Sequence, residues 1–118
     1  MVYQPGLHIL LTITPSNNNK LVSLDEWIVF IGSQIHKHQL HDLGSVQHSF
    51  DNSGGFTAIH CLTESHISIH TWPEFNLCTC DVFLSNFKRD NSQKVKAISN
   101  AIIDYFESKN FDLKEISR

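Results

Sequence analysis

Apolar residues follow two rhythms along the chain, and each predicts a different kind of element. Leu7 to Ile13 is a run rich in β-formers, closed by the turn residues Pro15-Ser16-Asn17-Asn18-Asn19. Trp27, Phe30, Ile31 and Ile35 recur at helical spacing, which predicts a helix to about His38. Ser23 followed by Glu26 has the capping-box spacing and marks that helix's start. Asp42 to Phe50 reads as a strand, Asp51 to Gly55 as a flexible turn and Phe56 to Thr63 as a central strand. The segment 64–74, ESHISIHTWPE, continues as another strand, followed by Cys78 to Phe87. Val95, Ile98, Ile102, Ile103 and Phe106 form the apolar stripe of a second helix, running from Asn91-Ser92 to about Lys109. Phe111 to Ile116 reads as a last, edge strand. This order predicts an α+β fold: a two-layer sandwich, an antiparallel sheet with two helices packed on one face.

Composition narrows the class. The 118 residues make one domain, 1–118, with a modest core that association with a second copy would extend. The formal charge of -3 and the lack of a basic stripe argue against a nucleic-acid partner. Lys88, Arg89, Lys94 and Lys96 are the densest basic cluster and read as a solvated face. No segment approaches the ~20 apolar residues of a membrane span, and the start lacks a basic leader, so a cytoplasmic protein is expected. Three cysteines, Cys61, Cys78 and Cys80, do not suggest a disulfide framework. Cys78-x-Cys80 offers too few thiols for structural zinc. Eight histidines raise a metal question. His36, His38 and His41 crowd a helix end, where imidazoles are favourable in any case. His66 and His70 are four apart on a strand with no glutamate after His66, so the helical metalloprotease pattern is absent. No metal site is expected.

The segment 64–74 holds more proton-handling groups than burial requires: Ser65, His66, Ser68, His70 and Glu74. Its eleven residues resemble the signature of S-adenosylmethionine decarboxylases of the short prokaryotic type. The resemblance extends to Gly6-Leu7-His8, His48-Ser49-Phe50 and Asp81. It implies a proenzyme that cuts itself between Glu64 and Ser65. Ser65 Oγ would attack the Glu64 carbonyl carbon, and elimination would leave a pyruvoyl group at position 65. That ketone would form a Schiff base with a substrate amine and act as an electron sink during loss of carbon dioxide. Serine is a weak nucleophile and needs a base, and histidine suits proton transfer near neutral pH. The resemblance gives that role to His70, a supporting hydroxyl to Thr57, and substrate contacts to Glu74 and Phe50. It also implies a homodimer of cleaved protomers.

Two positions depart from the pattern. Thr57 stands where a serine is common, which keeps the hydroxyl. Ser85 stands where the family has a cysteine that returns a proton to substrate. A hydroxyl is a far poorer acid than a thiol of pKa ~8.5. S-Adenosylmethionine is the leading substrate, L-ornithine or L-arginine the alternative, and a non-catalytic regulatory relative the rival class. Alternation adds a constraint: Ser65 and His70, five apart, face opposite sides of an unbroken strand. They converge only through a bend, or if His70 comes from another copy.

Overall fold

The computed structural model describes residues 2–118. In chain order its main elements are β1 (Leu7–Pro15), α1 (Leu24–Lys37), β2 (Asp42–Ser49), β3 (Phe56–Leu62), β4 (Ser65–Trp72), β5 (Leu77–Leu84), α2 (Ser92–Tyr105) and β6 (Ser108–Ser117). Single 3-10 turns lie at Asn19–Val22 and Pro73–Phe75. The six strands form one sheet in the order β2-β3-β4-β5-β1-β6, every pair antiparallel. The two-layer α+β expectation is met, with Phe111 to Ile116 inside the edge strand β6.

Alternation along the strands sorts the sheet into two faces. Ile9, Leu11 and Ile13, Phe56, Ala58 and Leu62, Ile67 and Ile69, and Cys78, Cys80, Val82 and Leu84 are all buried. They pack with Trp27, Ile31 and Ile35 of α1 and Val95, Ile98 and Ile102 of α2 in one core cluster. Each buried Val, Leu or Ile among them contributes about 1.5–3 kcal/mol by leaving water. Cys78 and Cys80 belong to this core, and burial pushes the Cys80 thiol up. The opposite face carries His48, Thr57, His66, Ser68, His70, Asp81 and His8, and among the described residues no helix or second sheet packs over it.

Several boundaries differ from the sequence reading, each for a local reason. Ser23 makes no side-chain cap bond, so the capping box does not form. The 3-10 turn runs straight into α1, and the Ser23 carbonyl accepts from the Trp27 N–H to begin the ladder. Helix α2 stops at Tyr105 rather than Lys109 because Glu107 turns left-handed, with φ +47°, and Ser108 pairs with Pro15 to start β6. Strand β4 ends at Trp72, where Pro73 lacks the N–H the ladder needs. Strand β5 ends at Leu84 because the loop beyond it is held by side chains: Asn91 donates to the Ser85 carbonyl at 2.8 Å.

The helix layer is fastened by one buried polar bond. Trp27 Nε1–H donates to His60 Nε2 at 3.0 Å, with both residues buried and Trp27 stacked on Phe106. Accepting at Nε2 requires a neutral imidazole. Burial lowers the His60 pKa from 6.5, against a smaller upward pull from Asp42. The folded state therefore binds this proton less readily than the unfolded chain. The stabilisation is complete above about pH 6.5 and declines as pH falls below it. Urea unfolding at pH 7.5 and 5 will show a loss for the parent of about 1 kcal/mol more than for His60→Gln, which keeps an acceptor but does not titrate. Equal losses would contradict this role.

Candidate active site

Strands β3 and β4 form a hairpin whose register runs without a shift from Leu62↔Ser65 to Thr57↔His70. Only Thr63 and Glu64 connect them. Glu64 sits in the left-handed region, φ +55°, which glycine favours and a glutamate occupies only under strain. The strained residue is thus the one whose carbonyl Ser65 would attack. Ser65 Oγ accepts from the Ser85 N–H at 3.0 Å, so the serine and the residue at the expected cysteine position are in direct contact.

Glu64 and Ser65 lie at the rim of two cavities. One, about 420 Å³, opens on the uncovered side and is lined by Tyr3, His66, Phe83 and Arg118 as well. The other, about 340 Å³, opens toward the helix layer, where His41, Ser85, Lys88, Arg89 and Lys94 are among its walls. Beside the first cavity, His8, His66 and Phe83 pack edge-on or tilted at 5.7–5.8 Å between ring centroids. Asp81 accepts from Ser68 at 3.1 Å and stands 3.5 Å from His8 Nε2, too misaligned to satisfy that nitrogen. Burial, then His8, lowers the His66 pKa against the pull of Asp81, which favours the neutral imidazole.

The other sequence-predicted residues gather at the far end of the same strands. Thr57 Oγ1 and His70 Nδ1 are 2.9 Å apart. His48 stands opposite Thr57 in the register, and its ring meets Phe50 at 4.8 Å. Phe50 is 42% exposed, so it is not a core residue. Trp72 lies 6.0 Å from His70, and exposed Glu74 follows in the 3-10 turn. Gly55 fixes this end: a Cβ there would come within 2.8 Å of Pro73 and 2.9 Å of the Thr71 carbonyl. That close approach binds the loop carrying Phe50 to the turn carrying Glu74.

The structure therefore brings Ser65 to Ser85 and Thr57 to His70, but keeps the two pairs apart. Strand β4 does not bulge. Five residues at ~3.4 Å each separate Ser65 from His70 by roughly 17 Å, and alternation turns them to opposite faces. The cross-strand group of His8, His66 and Asp81 was not assembled by sequence reasoning, because its members come together only through the β1–β5–β4 register. Lys88, Arg89 and Lys96 are exposed, as expected of a solvated face, and the fold adds that Lys88, Arg89 and half-buried Lys94 line the second cavity. Among the described residues no three His, Cys, Asp or Glu side chains cluster as a metal site, and no helix is long and apolar enough to cross a membrane.

The description "S-adenosylmethionine decarboxylase" belongs to the family profile that matches residues 7–118. The chain belongs to that family. It is 30% identical over 107 residues to an S-adenosylmethionine decarboxylase proenzyme from Archaeoglobus fulgidus, covering 90% of each chain. It is 35% identical over 69 residues to an arginine decarboxylase proenzyme from Caldivirga maquilingensis, covering 56% of this chain and 52% of that one. Its fold superposes on the crystal structure of the adenosylmethionine decarboxylase from Aquifex aeolicus with a TM-score of 0.85 and 28% identity, over 99% of this chain and 92% of the other. Among the residues that carried the sequence resemblance, this family member keeps Gly6 for a packing reason: a Cβ would strike the Leu84 carbonyl and the Phe83 ring at 2.5 and 2.9 Å.

The strain at Glu64 is open to measurement in a chain that cannot react. In a Ser65→Ala background, Glu64→Gly is expected to raise the unfolding free energy by up to about 1 kcal/mol, the left-handed penalty less glycine's added unfolded-state entropy. A clear loss of stability would show that the turn is not strained.

Proposed function

We propose that this chain is a self-processing, pyruvoyl-dependent decarboxylase that acts on S-adenosylmethionine and works as a homodimer. The observation that carries this reading is the strained Glu64 peptide placed beside Ser65 at a cavity rim. Ser65 Oγ reaches the Glu64 carbonyl carbon by rotation about its own bond, and conversion of amide to ester would release the left-handed turn. These residues suit a pyruvoyl group at position 65, with the Ser85 backbone against it and Tyr3, His66, Phe83 and Arg118 around it. Such a group supplies an electron sink for a substrate amine as carbon dioxide departs.

Proton handling falls to His70. With Nδ1 engaged by Thr57, Nε2 is the nitrogen left to exchange a proton. Because one chain holds Ser65 and His70 roughly 17 Å apart, the reading requires the second copy to supply the Thr57–His70 pair, Phe50 and Glu74. Two uncovered sheet faces related by a two-fold axis would set the His70 end of one against the other's cavity of about 420 Å³, which opens on that face and has Glu64 and Ser65 at its rim although the Ser65 side chain starts from the helix side. Val46, Ile59 and Ile116, exposed by 76%, 39% and 42%, give that face apolar area to bury. Phe50 then offers an aromatic face to a purine, and Glu74 a carboxylate to ribose hydroxyls.

Ser85 favours keeping one second reading, decarboxylation of L-arginine or L-ornithine, since the thiol acid is missing and a carboxylate such as Glu74 also suits a distal cation. The arginine decarboxylase relative supports the same alternative.

Intact mass of purified protein is expected to show two fragments, 1–64 and 65–118, the second lacking a free amine. Ser65→Ala is expected to remain whole. A parent chain that stays whole would refute the reading. Carbon dioxide release from the three candidate substrates is expected to be fastest with S-adenosylmethionine, and Ser85→Cys to raise that rate about tenfold or more. Faster release from arginine or ornithine would move the substrate and keep the reaction class.

A further inference from the structure

We propose that Lys88 and Arg89, with Lys94, form a carboxylate-binding site that stabilises Glu64 as the leaving group of self-cleavage. The inference rests on the self-processing reading above. It begins from a mismatch of charge. The cavity of about 340 Å³ on the helix side is lined by Glu64 and Ser65 together with Lys88, Arg89, Lys94 and His41. Among the described residues the one contact within 4 Å between a basic group and a carboxylate is His8–Asp81, so neither Lys88 nor Arg89 is matched to a carboxylate. Lys94 Nζ is turned to the His38 carbonyl at 2.7 Å, which holds its stem against the cavity wall.

The loop that carries Lys88 and Arg89 is built rather than slack. Asn86 Oδ1 accepts from the Asn91 N–H at 2.7 Å, and Asn86 Nδ2 donates to the Pro5 carbonyl at 2.9 Å. Asp90 Oδ1 accepts from the Ser92 N–H at 2.9 Å, so the α2 N-terminus is already occupied. Lys88 adopts φ +72°, the left-handed conformation, and its Nζ lies 5.5 Å from the Phe87 ring centroid. Both cations therefore share a cavity wall with Glu64, and they also border a neighbouring cavity beside Gln4, Asn86 and Asp90, with no carboxylate within 4 Å of either among the described residues.

The chemistry supplies the missing anion. As Ser65 Oγ bonds to the Glu64 carbonyl carbon, the Glu64–Ser65 C–N bond breaks and the nitrogen takes up the hydroxyl proton. A base then removes the Ser65 Cα proton, and the Cβ–Oγ bond breaks with its electron pair leaving on the oxygen. The Glu64 α-carboxylate is the group that departs. The dehydroalanine left behind tautomerises, takes up one water and loses ammonia. Negative charge therefore develops in the elimination step at a residue that already bears a side-chain carboxylate. Cations aimed there lower the barrier, and hold the new chain end clear of the substrate entrance afterwards.

The test uses the full chain without substrate. Lys88→Gln/Arg89→Gln is expected to cleave about tenfold more slowly and to accumulate the ester, which hydroxylamine releases as a 1–64 hydroxamate and a 65–118 fragment with a free amine. Lys88→Arg/Arg89→Lys, which keeps both charges, is expected to stay within about twofold of the parent. Both side chains are exposed, so circular dichroism should match the parent. As a second measure, raising potassium chloride from 0.05 to 0.5 M should slow the parent several-fold. A Gln variant that cleaves at the parental rate overturns the proposal. If that variant instead shows a raised KM, the cations serve the substrate's own carboxylate. A parent that never cleaves removes the decarboxylase reading itself, a different outcome from a parent that cleaves alongside an unaffected variant.

Discussion

The unshifted register between β3 and β4 is the constraint on which everything else depends. It fixes a two-residue connection at Thr63–Glu64, and that brevity forces Glu64 into a left-handed backbone. The same pairing sets Thr57 opposite His70 and Leu62 opposite Ser65. One hairpin therefore carries both Ser65 and the Thr57–His70 pair and holds them at opposite ends. A single-residue slip would turn Ile67 and Ile69 out of the core, so packing of the helix layer enforces the register. Burial in the core and strain at the turn are linked through one ladder.

The two faces of the sheet divide the work. The covered face is apolar except for a few satisfied groups such as Thr71, which receives the Phe56 N–H and donates to the Leu21 carbonyl, both at 2.8 Å. The uncovered face carries imidazoles, hydroxyls and Asp81 in rows across the strands. His8 is 7% exposed with both ring nitrogens unsatisfied within one chain. A buried polar group without partners is costly, which supports the proposal that a second copy covers this face. In the proposed dimer, a second copy would supply polar partners and the distant half of the site together.

Much of this was legible in the sequence. Two amphipathic stripes, Trp27 to Ile35 and Val95 to Phe106, and the turn residues between apolar runs located every main element. The motif at 64–74 pointed to the family that the comparisons show. Alternation alone also separates Ser65 from His70, and the regular β4 agrees with it. What could not be read was register. Nothing in the order of residues says that His66 pairs with Phe83, that His8 does the same from β1, or that Lys88 returns beside Glu64. The capping box at Ser23 failed because a local spacing rule knows nothing of the 3-10 turn that precedes the helix.

The central claim is that the reacting serine and its base meet only across two chains. Mixing Ser65→Ala protein with His70→Ala protein under conditions that exchange subunits tests this directly. Each chain alone should remain whole. In the mixed dimer, one site would combine an intact Ser65 with an intact His70, so the His70→Ala chain should cleave while the Ser65→Ala chain stays uncut. If the His70→Ala chain cleaves unaided, or never cleaves in the mixture, the composite site is contradicted.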